Sequence, residues 1–307
     1  MITRSLRELR ALLRPSPFRA TGRVALITGG AGGIGSALAH HLASDGASVI
    51  IVDRDSERAA SVAAGLPNPQ KAPHYAHVAD LTNQQEISAL MAEIKSRYGR
   101  IDVLVNNAGI AVSERFGSRD IASIENEFLV NTLAPLYVTR LALDLLRHSN
   151  DPRVITTVSL SGIFPQAESA VYCGTKFGLR GAMLSLAFDL KPEGIKVSCV
   201  LPSATDTRML RREALEGGNT LQFQSPPQTP DDVVRAFVSL LDRPRLEAYP
   251  KPSESRLVRA AMVFPNLLFA LLPFFEGKGE EGQRTYLRSL IERGDVVEVD
   301  GHLELAP

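Results

Sequence analysis

The 307-residue chain has no tryptophan, only two cysteines and no excess of either charge. Each shortage removes a class of protein. Cys173 and Cys199 cannot make a disulfide framework, so a reducing compartment and a cytoplasmic location are expected. Lys plus Arg number 34 and so do Asp plus Glu, which removes the global electrostatic footprint of a nucleic-acid binder. Residues 1–20 lack the unbroken apolar segment of a signal peptide. The strongly apolar, uncharged stretch 260–275 is shorter than the about 20 residues that span a bilayer, and it carries Pro265 and Pro273. What remains, at 44% hydrophobic and 22% charged residues, is a globular protein with room for one large α/β domain or two small ones.

Charge is unevenly placed. Arg4, Arg7, Arg10, Arg14, Arg19 and Arg23 crowd a head that holds one acid, Glu8, whereas Glu276, Glu280, Glu281, Glu292, Asp295, Glu298, Asp300 and Glu304 make the last segment acidic. Head and tail could attract each other, or the head could meet an anionic membrane; a solvated N-terminal helix is the preferred reading. Between them, short β-branched runs alternate with helical stretches: 24–27, 48–52, 74–78, 103–105, 154–158 and 196–201. Short strands buried on both faces and separated by helices predict a doubly wound parallel sheet, with its ligand crevice at the carboxyl ends of the strands. Residues 203–230, rich in Thr, Arg, Gln, Gly and Pro, read as a loop with one short helix near Arg208 to Leu215.

The first turn reads Thr28-Gly29-Gly30-Ala31-Gly32-Gly33-Ile34-Gly35, after a strand and opening a helix. Glycines there let backbone N–H groups approach a pyrophosphate at a helix N-terminus. Asp53 ends the second strand, where a carboxylate accepts from the ribose hydroxyls and repels a 2′-phosphate; Arg54 beside it could hold that phosphate instead. No basic residue lies inside the glycine turn, so NAD is expected ahead of NADP. Asp80-Leu81 closes the third strand, where the side chain either reaches an adenine amino group or simply makes a turn or helix cap.

Tyr172 and Lys176 are four residues apart, on one face of a helix. A nearby ammonium is expected to lower the phenol pKa from about 10, making Tyr172 a usable proton carrier. Ser159 lies thirteen residues earlier at a strand end, with Gly162 three residues on. The alternatives are weaker. Ser159 and Ser161 lack a nucleophile-elbow context, His74 and His77 have no companion ligands for a metal, and Cys173 reads as a packing residue.

Together the turn Thr28–Gly35, the run Asn106-Asn107-Ala108-Gly109, Ser159, and Tyr172 with Lys176 resemble the short-chain dehydrogenase/reductase family over roughly residues 21–245. The resemblance implies a Rossmann-like fold and an NAD(P)-dependent oxidoreductase acting on a CH–OH group. It implies that Ser159 orients the substrate oxygen and Tyr172 transfers the proton. Lys176 would hold the nicotinamide ribose, and Asn131 would anchor a water in the relay. Gly29, Gly33, Ile34, Gly35, Asn107 and Gly109 would border the cofactor, and Thr207 would contact the nicotinamide carboxamide. The family's Pro-Gly after the sixth strand is Pro202-Ser203 here, which puts the course of that loop in question. The resemblance also implies a homo-oligomer, dimer or tetramer, built through long helices beside the site.

The expected organisation is a basic extension over 1–20, a dinucleotide-binding and catalytic domain over 21–250 with its substrate loop at 203–230, and an apolar helical extension with an acidic tail over 251–307. The apolar part, 251–276, would pack over the cleft or a neighbouring subunit, or lie in a membrane interface behind Lys251, Arg256 and Arg259. Either use favours a lipophilic secondary alcohol or ketone of steroid, retinoid or long-chain type. A dinucleotide-binding regulator or scaffold on the same fold is the alternative.

Overall fold

A computed structural model of the chain describes residues 17–217, 219–263, 265–299 and 302–306, without the side chains at 265 and 267–276. Six of the β-branched runs become parallel strands: β1 (Val24–Thr28), β2 (Ser48–Asp53), β3 (Tyr75–Val78), β4 (Val103–Asn106), β5 (Arg153–Thr157) and β6 (Lys196–Val200). A seventh, β7 (Glu247–Ala248), adds to β6 and was not anticipated. The order is β3-β2-β1-β4-β5-β6-β7. That order reverses between β1 and β4, and the reversal opens a crevice at their carboxyl ends.

Alternate residues of each strand feed opposite cores, as a strand's period of two demands. On one face Val24, Leu26, Ile50, Val52, Leu104 and Val154 pack under α3 (Gln84–Tyr98), α5 (Ala134–Arg147) and α6 (Ala170–Asp189). On the other, Ala25, Ile27, Val49, Ile51 and Val105 meet α1 (Gly33–Ser44), α2 (Ser56–Gly65) and α8 (Pro230–Asp242). Burying each large aliphatic side chain contributes about 1.5–3 kcal/mol, so the sheet is a rigid platform for whatever its edge carries. Helix α4 (Ile121–Phe128) runs through a π-turn (Leu129–Leu133) straight into α5. This continuous helix has the length and hydropathy of a membrane span, and core packing of Val138, Ala142, Leu145 and Leu146 accounts for its composition.

Beyond β6, α7 (Arg208–Glu216) matches the short helix expected in the substrate loop. After β7 come α9 (Pro252–Ala261) and a long helix, α10 (Pro265–Glu292), which starts at one proline and continues through the other. Proline at a first helical position loses no hydrogen bond, so Pro265 opens a helix rather than merely breaking one. The acidic end of the chain is no loose tail. It forms the last turns of α10 and an antiparallel hairpin, β8 (Val296–Val299) with β9 (His302–Leu305). The apolar stretch assigned to cleft packing or membrane contact falls largely on side chains outside the described residues. Arg4, Arg7, Arg10 and Arg14 also lie outside them, while Arg23 faces Asp102 and Asp151 rather than the acidic end.

The C-terminal half of α10 is clamped onto the substrate loop. Leu210, Ala214 and Phe223 form a small core with Tyr286, Leu290 and Val296. Asp206 accepts from Arg211 Nε at 2.8 Å, Tyr286 Oη at 2.7 Å and Arg293 Nη1 at 2.9 Å. Gly279 and Gly282 let the helix lie directly on the 3-10 turn Thr220–Phe223, and a Cβ at Gly282 would run into the Phe223 carbonyl oxygen. Gly282→Ala is therefore expected to destabilise the fold by about 1–3 kcal/mol through overpacking. Urea unfolding checks this, and an unchanged midpoint would show that the helix shifts freely off the turn.

Candidate active site

The site grows from the carboxyl ends of β1, β4 and β5. Gly29 has φ +60°, and a Cβ there would lie 2.8 Å from Ala108 Cα. Only glycine admits both this backbone and the close approach of the two turns. Asn107 stitches them: its Nδ2 donates to the Thr28 and Gly29 carbonyls at 3.3 and 3.1 Å, and its Oδ1 accepts from Thr157 Oγ1 at 3.0 Å. A Cβ at Gly35 would meet the Gly29 carbonyl oxygen, while Ile34 packs partly into the core. Helix α1 has Gly32 as its N-cap and no side-chain cap. Its N-cap thus supplies no side-chain acceptor to the first N–H groups, behind a turn in which four of the five residues from Gly29 to Gly33 are glycine. This cradle fits a pyrophosphate on its own geometry.

Asp53 faces the same turn, accepting from Ala31 N at 3.1 Å and Asp55 N at 3.2 Å. Arg54 is exposed. The sequence reading missed Arg58, whose Nη2 donates to the Ala31 carbonyl at 3.0 Å. It places a guanidinium against the glycine turn from one turn inside α2. The only signal was its three-residue spacing from Asp55, the N-cap. Asp80 makes a local turn, its Oδ1 accepting from Thr82 N at 2.8 Å and Thr82 Oγ1 at 2.7 Å. Those bonds hold its carboxyl below the usual carboxylate range. Leu81 packs partly against the core.

Across the crevice, α6 lies on the turn that follows β5. A Cβ at Gly162 would sit 2.9 Å from the Lys176 carbonyl oxygen, so this glycine sets how closely helix and turn meet. Ser159 caps that turn, its Oγ accepting from Ser161 N at 3.0 Å. Lys176, only 4% exposed, places Nζ 5.6 Å from the Tyr172 ring centroid and 3.4 Å from the Thr157 carbonyl oxygen. Asn131 sits in the π-turn, a local widening of the helix. Its Oδ1 accepts from Ile110 N and its Nδ2 donates to Ile110 O, both at 2.8 Å. Gly109 fits between them: a Cβ there would lie 3.2 Å from Asn131 Oδ1 and 3.5 Å from Lys176 Nζ. Ser159, Tyr172, Lys176 and Asn131 thus share one wall, next to the glycine cradle.

The electrostatics depart from the expectation in one respect. Burial pushes the Tyr172 phenol well above its ordinary value, the charge of Glu213 adds to this, and hydrogen bonding from Ser159 pulls the other way. Burial also brings Lys176 itself down to about 8, opposed by the carboxylate of Glu127. The spacing rule places two residues on one face of a helix, but it is blind to the desolvation that dominates once both are inside. Glu127 was also missed. It is fully buried and paired to Arg119 Nη2 at 2.8 Å. Arg119 in turn donates to the carbonyls of Val112 and Ser123, tying the loop after β4 to the helix that carries Asn131.

Thr207 reaches over the cradle, its Cγ2 2.8 Å from where a Cβ at Gly33 would be. Despite Ser203, Pro202 keeps its carbonyl on Leu160 N at 2.8 Å, so the loop still starts beside Ser159. Cys173 is buried, and burial raises its thiol. His74 bonds the Pro67 carbonyl and His77 bonds Glu93. Among the described residues no group of three His, Cys, Asp or Glu could hold a metal.

A family model described as short chain dehydrogenase matches residues 23–216. The chain belongs to the short-chain dehydrogenase family. It is 30% identical to a 3beta-hydroxysteroid dehydrogenase of Mediterraneibacter gnavus, over 63% of this chain and 70% of that one. It is 32% identical to an L-fucose dehydrogenase of Bos taurus, over 60% and 66%. A solved short chain dehydrogenase from Burkholderia cenocepacia in complex with NADP superposes with a TM-score of 0.67 and 30% identity, covering 75% of this chain and 97% of the other. A 3-ketoacyl-(acyl-carrier-protein) reductase from Brucella melitensis complexed with NADH gives 0.66 and 26%, over 76% and 99%. This short-chain dehydrogenase is an NAD(P)-dependent oxidoreductase with a seven-stranded Rossmann-like sheet.

The buried ammonium has a testable cost. An unfolded lysine keeps its proton to about pH 10.5, whereas Lys176 in the fold releases it near 8. Between those values the unfolded chain binds more protons, so this group makes folding more favourable as pH rises through the window. Below it the penalty is full, about 3 kcal/mol. Lys176→Met is expected to raise the urea midpoint of the cofactor-free protein at pH 7, the gain fading as pH climbs from 8 towards 10.5. Identical pH dependence in the two proteins would overturn the assignment.

Proposed function

We propose that this enzyme interconverts a secondary alcohol and its ketone with Ser159, Tyr172, Lys176 and Asn131 as its working residues and NAD as its preferred cofactor. The observation that supports the reading is the buried Lys176, its Nζ 5.6 Å from the Tyr172 ring centroid and beside Gly109 and Asn131, on the side of the sheet edge that carries the glycine turn. A bound nicotinamide supplies or accepts the hydride at the carbinol carbon, and it brings a positive charge when oxidised. Ser159 donates a hydrogen bond to the substrate oxygen and holds the carbon in line. Tyr172, kept protonated by burial, gives its proton to the oxygen as the ketone becomes an alkoxide, and takes it back in the reverse direction. Lys176 provides the adjacent ammonium from which the phenol is recharged. Asn131 fixes Ile110, and with it the loop that carries Gly109, at the distance this path requires.

Asp53 at the glycine turn supports NAD, although Arg58 brings a counter-charge to the same turn. The substrate is read as an alcohol or ketone with an apolar body. The uncharged stretch 260–275 supports this, as does the steroid in the name of the Mediterraneibacter relative. The exposed side chains of Ile121 and Phe128 on α4, and of Phe177 and Phe188 on α6, support self-association through these helices. A monomer mass by light scattering would exclude that.

Nicotinamide absorbance tests the chemistry, with NAD and NADP against steroid, retinoid, aliphatic and polyol substrates. Turnover is expected with apolar alcohols and NAD, falling about 10²–10⁴-fold in Tyr172→Phe while fluorescence still reports cofactor binding. Equal rates in that variant would remove Tyr172 from the mechanism. Better turnover with NADP would overturn the role given to Asp53, and turnover confined to polyols would overturn the apolar substrate.

A further inference from the structure

Asp206 stands one peptide bond before Thr207, the residue that lies over the cofactor cradle. Its carboxylate closes a ring of charges. Arg211 bridges Asp206 and Asp295, through Nε and Nη1 at 2.8 Å each. Arg293 bridges the same two acids, with Nη1 2.9 Å from Asp206 and Nε 3.0 Å from Asp295. Tyr286 Oη donates to Asp206 as well, at 2.7 Å. Tyr286, Arg293 and Asp295 come from the C-terminal segment, 80 or more residues along the chain from Asp206. They lie beyond residue 216, where the match to the family model stops.

The same short stretch is held from its other side. Gln228 N donates to the Ala204 carbonyl and Gln228 O accepts from Asp206 N, both at 2.8 Å. Gln228 Nε2 donates to the Ser203 carbonyl at 3.1 Å and to Thr205 Oγ1 at 2.8 Å. Residues 203–206 are thus fixed through backbone and side chains, and Thr207 continues from them onto Gly33, the first residue of α1. Thr207 Cγ2, Cβ and Cα stand 2.8, 3.2 and 3.6 Å from where a Cβ at Gly33 would be, so side chain and backbone both roof the start of that helix.

Stability is a poor reason for such a ring. Arg211 and Arg293 keep 28% and 46% of their side-chain surface exposed, and ion pairs this hydrated add little. Arginines that span two acids with separate nitrogens instead fix geometry. A cradle that binds through backbone N–H groups depends on geometry and on the exclusion of water. A roof that the ligand itself had to order would subtract that cost from affinity. We infer that Asp206 is a positioning residue for the cofactor: the ring closed around it by Tyr286, Arg293 and Asp295 holds Thr207 against Gly33 in advance, so the C-terminal segment sets the affinity of the cradle for the dinucleotide. The inference needs the cradle alone and is independent of the substrate read above.

The test titrates the full-length protein with NADH and with NADPH by nicotinamide fluorescence, and follows amide hydrogen exchange over residues 203–207 in the cofactor-free protein. Tyr286→Phe deletes one hydroxyl and keeps the aromatic ring packed 5.6 Å from that of Phe223, so the fold is retained even if the charge variants lose theirs. Kd for the tighter cofactor is expected to rise about threefold in Tyr286→Phe and about tenfold in Asp206→Asn and in Arg293→Met, with faster exchange over 203–207. The Asp206→Asn, Arg293→Met double variant is expected to bind like either single one, because both cut the same path. Ile94→Val, in the core on α3, is expected to lower the urea midpoint and leave Kd unchanged, which separates placement from stability. A Kd unmoved in Tyr286→Phe and Asp206→Asn while their urea midpoints fall makes the ring a structural clamp only and overturns the inference. So does a Kd that rises as much in Ile94→Val, or a double variant in which the two losses multiply. A wild type that binds neither cofactor overturns the cradle and the inference together.

Discussion

The carboxyl edge of the sheet is organised around a buried ammonium. Lys176 has no carboxylate in ion-pair range among the described residues, and its one protein hydrogen bond is a long one, to the carbonyl of Thr157. Desolvating a cation without a partner is among the costliest arrangements in a fold. It persists because α6 is pinned on two sides. Gly162 lets the turn after β5 lie against the helix backbone, and Asn131 and Thr132 bond Thr175 from the π-turn. Moving Lys176 towards water would require unpacking all three contacts, so the strain of its burial is borne by the core beneath.

A second buried charge steadies the first from a distance. The Arg119–Glu127 pair is nearly inaccessible, and both partners keep one polar atom without a protein hydrogen bond. Such a pair adds little stability compared with apolar packing of the same volume, yet losing one partner strands the other. Its value here is placement. It closes the loop after β4 onto α4 one helical turn before Asn131, and the Glu127 carboxylate favours the charged form of Lys176. The site is thus a set of positions held by charges that stability alone would not select.

Much of the fold could be read from local pattern. The β-branched runs, the glycine turn and the four-residue spacing of Tyr172 and Lys176 each report on neighbours in the chain, and the structure places every one of them on the same sheet edge. Other elements were illegible for definite reasons. β7 has two residues and no periodicity of its own; it is a strand only because Cys199 and Leu201 donate to the carbonyls of Leu246 and Ala248. The hairpin of β8 and β9 was missed although Asp300-Gly301 between two alternating runs is a known signal for one. The run of acids drew attention to charge instead. Arg58, Glu127 and Glu213 carry no motif, because each acquires its meaning from a residue far away in the sequence or from burial.

Sequence alone was enough for the class of protein, for the six long strands and for the glycine turn between strand and helix, because these depend on backbone permissiveness and on periodicity within single elements. The protonation states were decided elsewhere. Whether Tyr172 lies above or below its ordinary pKa, whether Lys176 is solvated, and which acid's charge reaches the phenol all depend on how much water and charge the assembled fold leaves around each group. Desolvation and long-range charge are sums over neighbours that the linear order does not bring together.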